Sequence, residues 1–351
     1  MENDLEAKKR KLGLREIAAA ANVSVATVSR VLNGNNRVDK SIQKAVLNAA
    51  SKLDIDLSQR NKTKALAFLL SNRAMLHAFH SRILTAAETH CAAHGWDMVF
   101  LTFEYPSHVS WKELYLPKVV QRHDVVRGVI LAGTNSTNLL ELLTRKDINF
   151  AVFGNNVIGD PSDLKDNDVV FSDDKQGGNE MTRYLIDLGH RNIGFVGNTR
   201  LPWFGRCFDG YRQAMEEAGL AIRQSNTYSE DDAESGYLGA KSMLAKGNSV
   251  TAILAGNDTT AHGVYKAVQD SGLRIPEDIS VAGCDDTIGP WLLPSLTTTR
   301  EFPEQLGKQL VELVVNRADT PGMAPQHVTI PTELVKRESC SKISPAEESA
   351  P

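Results

Sequence analysis

L-R-E-I-A-A-A-A-N-V-S-V-A-T-V-S-R-V-L-N-G, residues 14–34, decides how this chain begins to fold. Leu14, Ile17, Ala18 and Ala21 recur at i, i+3, i+4 and i+7, one face of a short amphipathic helix. Ser24 is placed to cap a second helix, whose Val28, Val31 and Leu32 form its buried side. Asn33-Gly34 closes that helix, because both residues tolerate the left-handed backbone that ends helices. Asn22, between the two, suits the same conformation in a tight turn. Two short helices about such a turn predict a helix-turn-helix, whose second helix enters the DNA major groove. The outer face of the second helix is Val25, Ala26, Thr27, Ser29 and Arg30, small groups around one guanidinium. A merely solvated face would carry Glu and Lys instead.

Charge divides along the chain in the same sense. Residues 1–64 hold 13 Lys and Arg against 7 Asp and Glu, net +6, whereas the whole chain is at −4 and the remainder therefore at −10. A basic head on an acidic body is the electrostatic footprint of phosphate binding. The basic run Lys8–Lys11 reads equally as a phosphate-contacting arm or a solvated tail. No run of about 18 apolar residues occurs, so no membrane partner is expected. The N-terminal residues lack the apolar segment of a secretory signal, which predicts a cytoplasmic, nucleoid-associated protein. Cys91, Cys207, Cys284 and Cys340 have no metal-ligand spacing and read as reduced thiols. The chain has no G-x-S-x-G, no P-loop and no metal triad, so neither an enzyme nor a cofactor is expected.

Asp39 can cap a third helix with Ile42, Val46, Ala49, Ala50 and Leu53 on one face, which completes a helical head over residues 12–57. Residues 58–65, S-Q-R-N-K-T-K-A, are polar and basic and read as a linker. From residue 66 apolar runs alternate with amphipathic stretches. The runs are 66–70, 98–101, 128–131, 150–153, 169–171, 193–196, 252–254 and 279–282; the helical stretches include 81–94, 176–188, 209–218 and 259–271. This βαβ alternation predicts an α/β core of two lobes over residues 66–337, each a doubly wound parallel sheet, followed by a polar tail over 338–351. Ligands in such folds bind beyond the carboxyl ends of the strands, where G-T-N, G-N-N, G-N-D and G-C-D-D loops lie.

A helix-turn-helix head, a basic linker and a two-lobed α/β body together resemble the lactose-repressor family of bacterial transcription regulators. The resemblance covers residues 12 to about 338. Its carriers, in order, are V-S-V-A-T-V-S-R-V-L-N-G, L-G-H-R-N-I-G-F-V-G at 188–197, A-G-N-D at 255–258, I-S-V-A-G-C-D-D at 279–286 and S-L-T-T-T-R-E at 295–301. It implies a repressor with a periplasmic-binding-protein-like core that closes around a small, carbohydrate-like effector. It also implies a homodimer that reads a pseudo-palindromic operator in double-stranded DNA. The family's base-reading positions fall on Val25, Ala26 and Arg30, and its phosphate-holding positions on Thr27, Ser29 and Asn33. Arg can pair with guanine O6 and N7 in bidentate fashion, and small apolar groups can meet a thymine methyl.

The effector positions implied by the same resemblance are Asn257 and Asp285, with Glu301 where Gln is more usual and Phe79 on the first lobe. The family's arginine slot holds Cys207 here. The adjacent Arg206 substitutes if that segment is loop and points elsewhere if it is already helix. Trp203 either stacks on a sugar face or packs in the core. The linker is shorter than in the family and has no apolar residue to wedge into a minor groove, so Arg60 and Lys62 serve either as phosphate contacts or as part of a mobile tether. Two alternatives stand beside a sugar-controlled repressor: a regulator with no small-molecule response, and one with a non-sugar effector such as a nucleoside. The tail has no leucine heptads, which predicts a dimer rather than a larger assembly.

Overall fold

The computed structural model describes residues 13–32, 38–53, 55, 64–73, 77–159, 161–225, 233–245, 250–320 and 322–343. The chain divides into two compact units between Lys64 and Ala65. In the first unit, helix α1 spans 13–20, α2 Val25–Leu32 and α3 Lys40–Lys52. Asn22 has φ +52°, and Val23 N–H closes the turn on Ala18 O at 3.0 Å. The Ser24 hydroxyl accepts from Thr27 N–H at 3.0 Å, satisfying a donor that the start of α2 would otherwise leave open. Asp39 caps α3 by accepting from Ser41 N–H at 2.7 Å. Ile17, Ala18, Val28, Val46, Ala49 and Ala50 form the core of this unit. Leu53, expected on the buried face of α3, is exposed; Ile55 packs on the core instead, past the end of the helix.

The second unit holds two six-stranded sheets. Running outward, the first orders β2 (Asp97–Phe103), β1 (Ala65–Ser71), β3 (Val126–Gly133), β5 (Phe150–Phe153), β7 (Asp168–Ser172) and β13 (His327–Ile330), all parallel. The short strands β4 (Asn135–Ser136) and β6 (Val157–Ile158) pair beside it. The second sheet orders β9 (Arg223–Ser225), β8 (Ile193–Val196), β10 (Ala252–Ala255), β11 (Ser280–Asp285), β12 (Thr297–Arg300) and β14 (Glu333–Val335). Every residue of β1, β5, β8 and β10 is buried. Parallel strands covered on both faces read as unbroken apolar runs, which is why these runs were visible without alternation.

The chain passes between the lobes three times: after β7 into α6 (Asp174–Asp187), after β12 into α10 (Pro303–Asp319), and from β13 to β14. Helix α10 returns to the first lobe and packs on α4 (Ala78–Ala93), with α5 (Thr137–Arg145) on that lobe's other face. The third crossing corrects one expectation, that both sheets are wholly parallel. A two-residue connection lets the chain run straight on from β13 into the other lobe, so β14 lies antiparallel to β12. In the second lobe α6 pairs with α7 (Pro202–Glu217), and α8 (Ala233–Ala245) with α9 (Asp258–Gln269). Both pairs touch through glycines at backbone distance. A Cβ on Gly210 would stand 2.0 Å from Lys175 O, and one on Gly263 1.8 Å from Ala233 O.

The segment after residue 337, expected as a polar tail, is packed as far as it is described. Ser339 is fully buried and accepts from Thr297 N–H at 2.8 Å, while Ile343 N–H donates to Leu188 O at 3.1 Å. His190, in L-G-H-R, has its ring nitrogens 2.9 Å from the Thr251 hydroxyl and 3.0 Å from the Ser280 hydroxyl, and so joins β8, β10 and β11. Among the described residues no helix is long and apolar enough to cross a membrane.

Candidate DNA-reading face and effector cleft

Helix α2 turns Val28 inward, and its spacing then sends Ala26 and Arg30 to the opposite side, where both are exposed; Val25, in the first turn, is 41% exposed. Thr27 and Ser29 lie on the flanks, with the Thr27 hydroxyl 2.8 Å from that of Ser24. Asn33, Arg60 and Lys62 lie outside the described residues, as does the run Lys8–Lys11. Near the start of α3, hydrogen bonds from the Ser41 side chain and backbone hold the Asp39 carboxyl below the usual carboxylate range. Asp39 is thus a charged cap.

In the core, the carboxyl ends of both sheets meet in a narrow cleft with a cavity of about 60 Å³. Phe79 and His80 reach it from the first turn of α4, and Asn257 and Asp285 from the ends of β10 and β11. Trp203 and Cys207 come from the start of α7, and Glu301 from the second crossing. Five of the six residues expected at an effector site therefore line one cavity. Arg206 does not. Helix α7 already begins at Pro202, so Arg206 is turned about 100° from the slot of Cys207. It donates to both carboxylate oxygens of Asp174, at 2.8 and 2.9 Å, and to Asn155 O at 2.7 Å. The arginine that does line the cleft is Arg73, past the end of β1, whose guanidinium lies 4.4 Å from the centroid of the Trp203 ring. Phe204, next to Trp203, is buried against Gly256 and belongs to the core.

The polar groups are aimed by local structure. Asn257 caps α9 with its carboxamide oxygen, which accepts from Thr260 N–H at 2.7 Å, so the amide NH2 is the donor it offers a ligand. Asp285 has φ +91° and accepts from Thr287 N–H (2.9 Å) and Oγ1 (2.6 Å) on one oxygen, leaving the other as a free-standing acceptor. Burial, and then the charge of Asp258, push the Asp285 carboxyl well above its ordinary range. The next residue, Asp286, pairs with Arg300 at 2.8 Å and Arg337 at 2.7 Å, so it braces the loop rather than the cavity. Asn156 Nδ2 donates to His80 Nε2 at 3.0 Å, which places the His80 proton on Nδ1. Burial, with Arg73 adding to it, holds His80 well below the usual imidazole range, so the ring is neutral at pH 7. His80 Nδ1 and Trp203 Nε1 are both buried without a hydrogen-bond partner. Cys207 Sγ and Cys284 Sγ, both free thiols, stand 3.2 Å apart in the same wall.

Burial, and then the charge of Asp174, raise the Glu301 carboxyl from 4.5 to about 7, against opposing contributions from Ser172 and Arg206. A carboxyl whose pKa is raised on folding stabilises the fold fully below its ordinary value of 4.5 and loses that contribution as pH rises through about 7. Glu301→Gln is therefore expected to gain stability on the wild type between pH 5 and 8, by up to about 3 kcal/mol at the upper end. Urea midpoints of both proteins across that range check it; parallel curves would mean that Glu301 ionises normally.

Two family profiles match the chain: "Bacterial regulatory proteins, lacI family" over residues 13–55, and "Periplasmic binding protein-like domain" over 182–340. The ribose operon repressor of Haemophilus influenzae is 30% identical over 336 residues, covering 93% of this chain and 98% of that protein. Among solved structures, the transcriptional regulator CelR in complex with cellobiose superposes with a TM-score of 0.69 at 25% identity, over 93% of this chain and 99% of that one. The Lac repressor dimer bound to operator and the anti-inducer ONPF gives 0.70 at 23% identity, over 93% and 98%. A helix-turn-helix unit followed by a two-lobed α/β core with a polar cleft defines a DNA-binding transcriptional regulator. The chain belongs to the lacI family of bacterial regulatory proteins, and is a DNA-binding transcriptional repressor of that family.

Asp174, Arg73 and the thiol pair were not anticipated from the sequence. Asp174 carried a signal of a kind, since a half-buried arginine in the first turns of α7 needs a carboxylate within reach. For Arg73 and the thiols, nothing local marks them; only the strand order brings residues 73, 203, 207 and 284 together.

Proposed function

We propose that the cleft binds a small polyhydroxylated effector of the carbohydrate type, and that its occupancy sets the affinity of a homodimer for a pseudo-palindromic operator. The observation that carries this reading is the pair of buried, partnerless N–H donors on His80 and Trp203, two residues of the wall that also holds the open carboxyl oxygen of Asp285. A buried donor without a partner costs about 1–3 kcal/mol. A ligand hydroxyl can accept from such a donor while donating to Asp285, so a polyol satisfies both sides at once. Phe79 and Trp203 supply apolar ring faces, and the Asn257 amide adds a further donor. The ribose and cellobiose in the names of two relatives are consistent with this chemistry.

In the same reading, the head over residues 12–57 reads bases through Val25, Ala26 and Arg30 and holds phosphate through Thr27, Ser29 and Asn33. Arg60 and Lys62, in the tether over 58–65, add electrostatic contacts, and the two heads of the dimer take one half-site each.

The experiment is a calorimetric titration of the full chain with pentoses, hexoses, disaccharides and nucleosides. Saturable binding of a sugar, weakened by about a hundredfold or more in Asp285→Ala, is the expected result. That fold-change corresponds to nearly 3 kcal/mol for a buried acceptor that meets two hydroxyls. A nucleoside that binds where sugars do not would replace the effector class. No binding from a broad panel would leave a repressor without small-molecule control.

A further inference from the structure

We propose that His90, His94 and Glu312 form a binding site for a borderline divalent transition ion such as Zn²⁺, Co²⁺ or Ni²⁺, on the outer side of the first lobe. Helices α4 and α10 run parallel there, and their backbones come close where Gly307 faces Ile83 and Ala87. Two rungs join them, each between residues 222 apart in sequence. In the first rung Arg82 makes an ordinary bidentate pair with Glu304, at 2.7 and 3.0 Å. In the second the arginine is replaced by two imidazoles. His90 occupies the last turn of α4 and His94 its C-cap, still in a helical backbone conformation, so their i,i+4 spacing puts both rings on one face. The rings lie edge to face with centroids 5.0 Å apart.

Both rings aim Nε2 at the same carboxylate oxygen. His90 Nε2 is 2.6 Å and His94 Nε2 3.6 Å from Glu312 Oε1, and the three ligand atoms lie within 4.8 Å of one another. One imidazole suffices for a hydrogen bond to a carboxylate; two converging on one oxygen make three donors that share a focus. Around an ion with bonds of about 2.0–2.2 Å, tetrahedral ligand atoms sit roughly 3.3 Å apart. The His94 separation already matches, and the His90 contact has to open by less than about 1 Å, within reach of a Glu312 side chain that is 31% exposed. The histidines are 22% and 33% exposed, so an ion can enter from solvent, with water or an external group in the fourth position. Two imidazoles and one carboxylate suit Zn²⁺, Co²⁺, Ni²⁺ or Cu²⁺ and not Mg²⁺ or Ca²⁺. The ion would clamp together the two helices whose N-terminal ends bring Phe79, His80 and Glu301 to the cleft.

The test uses the full-length chain, free of any affinity tag and stripped with a chelator. Zn²⁺ is titrated calorimetrically and Co²⁺ by visible absorption. The expected result is one ion per chain, with a thermal midpoint raised by Zn²⁺ and restored by chelator. His90→Gln and His94→Gln are each expected to weaken binding at least about tenfold, since even a residue that merely supports a ligand contributes that much. Glu312→Gln is expected to weaken it as well. His94 lies at an exposed helix end, so its variant tests the site without threatening the fold. Absence of binding, unchanged affinity in the His90→Gln/His94→Gln double variant, or a Co²⁺ spectrum dominated by thiolate charge transfer would each overturn the proposal.

Discussion

Gly263→Ala is expected to destabilise the second lobe by about 3 kcal/mol, at the upper end of what overpacking a core usually costs. The added methyl would meet Ala233 O at 1.8 Å and Tyr237 N at 2.6 Å, both backbone atoms of α8 that no side-chain rotation can clear. From the other helix, a Cβ on Gly236 would meet Thr260 O at 2.0 Å, so neither helix can yield without losing contact with the sheet. Gly272→Ala is the matched control. It has φ +73° and nothing within 4 Å, so it tests backbone strain alone, worth roughly 1 kcal/mol. Urea unfolding of the two variants separates the cases. Equal losses would mean that α8 and α9 slide apart freely.

The second large effect is expected at the DNA. Arg30→Ala should lower the preference for the best site selected from a random DNA pool, relative to a scrambled sequence at the same salt, by roughly 30-fold or more. One bidentate arginine–guanine pair discriminates by about 1–3 kcal/mol, and the proposed symmetric dimer would lose two. Arg30 is exposed and outside the core of its unit, so the variant should fold as the wild type does. Arg30→Lys keeps the charge and loses the planar fork, and should behave like the alanine variant in discrimination but not in overall affinity. If Arg30→Ala weakens binding to both sequences alike, the side chain holds phosphate and reads no base.

These two predictions rest on different kinds of information. The exposed place of Arg30 on α2 was legible directly: the caps at Ser24 and Asp39, the left-handed Asn22 and the spacing of Ile17, Ala18 and Val28 are all decided within a few residues of chain. Gly263 carries no such signal. It is one glycine in a helix until α8 is laid against it. The same contrast runs through the cleft. Asn257 and Asp285 sit in loops that follow apolar runs, and a loop beyond a parallel strand faces the ligand side wherever the strand lies in the sheet. Arg206 was ambiguous because its direction depends on where α7 begins, and that is fixed by Pro202 together with the reach of Asp174 across the crossing.

The head, the alternation of strands and helices, and the residue types at the carboxyl ends of the strands are local consequences of apolar periodicity, capping and turn chemistry. Long-range packing alone makes β14 run against its sheet, engages Arg206 with Asp174 while Arg73 faces the cleft, and brings His90, His94 and Glu312 together across parallel helices. Those features join residues tens to hundreds of positions apart. What places them is the order of the strands and the register of α4 on α10, set by the packing of the whole lobe rather than by any segment of it.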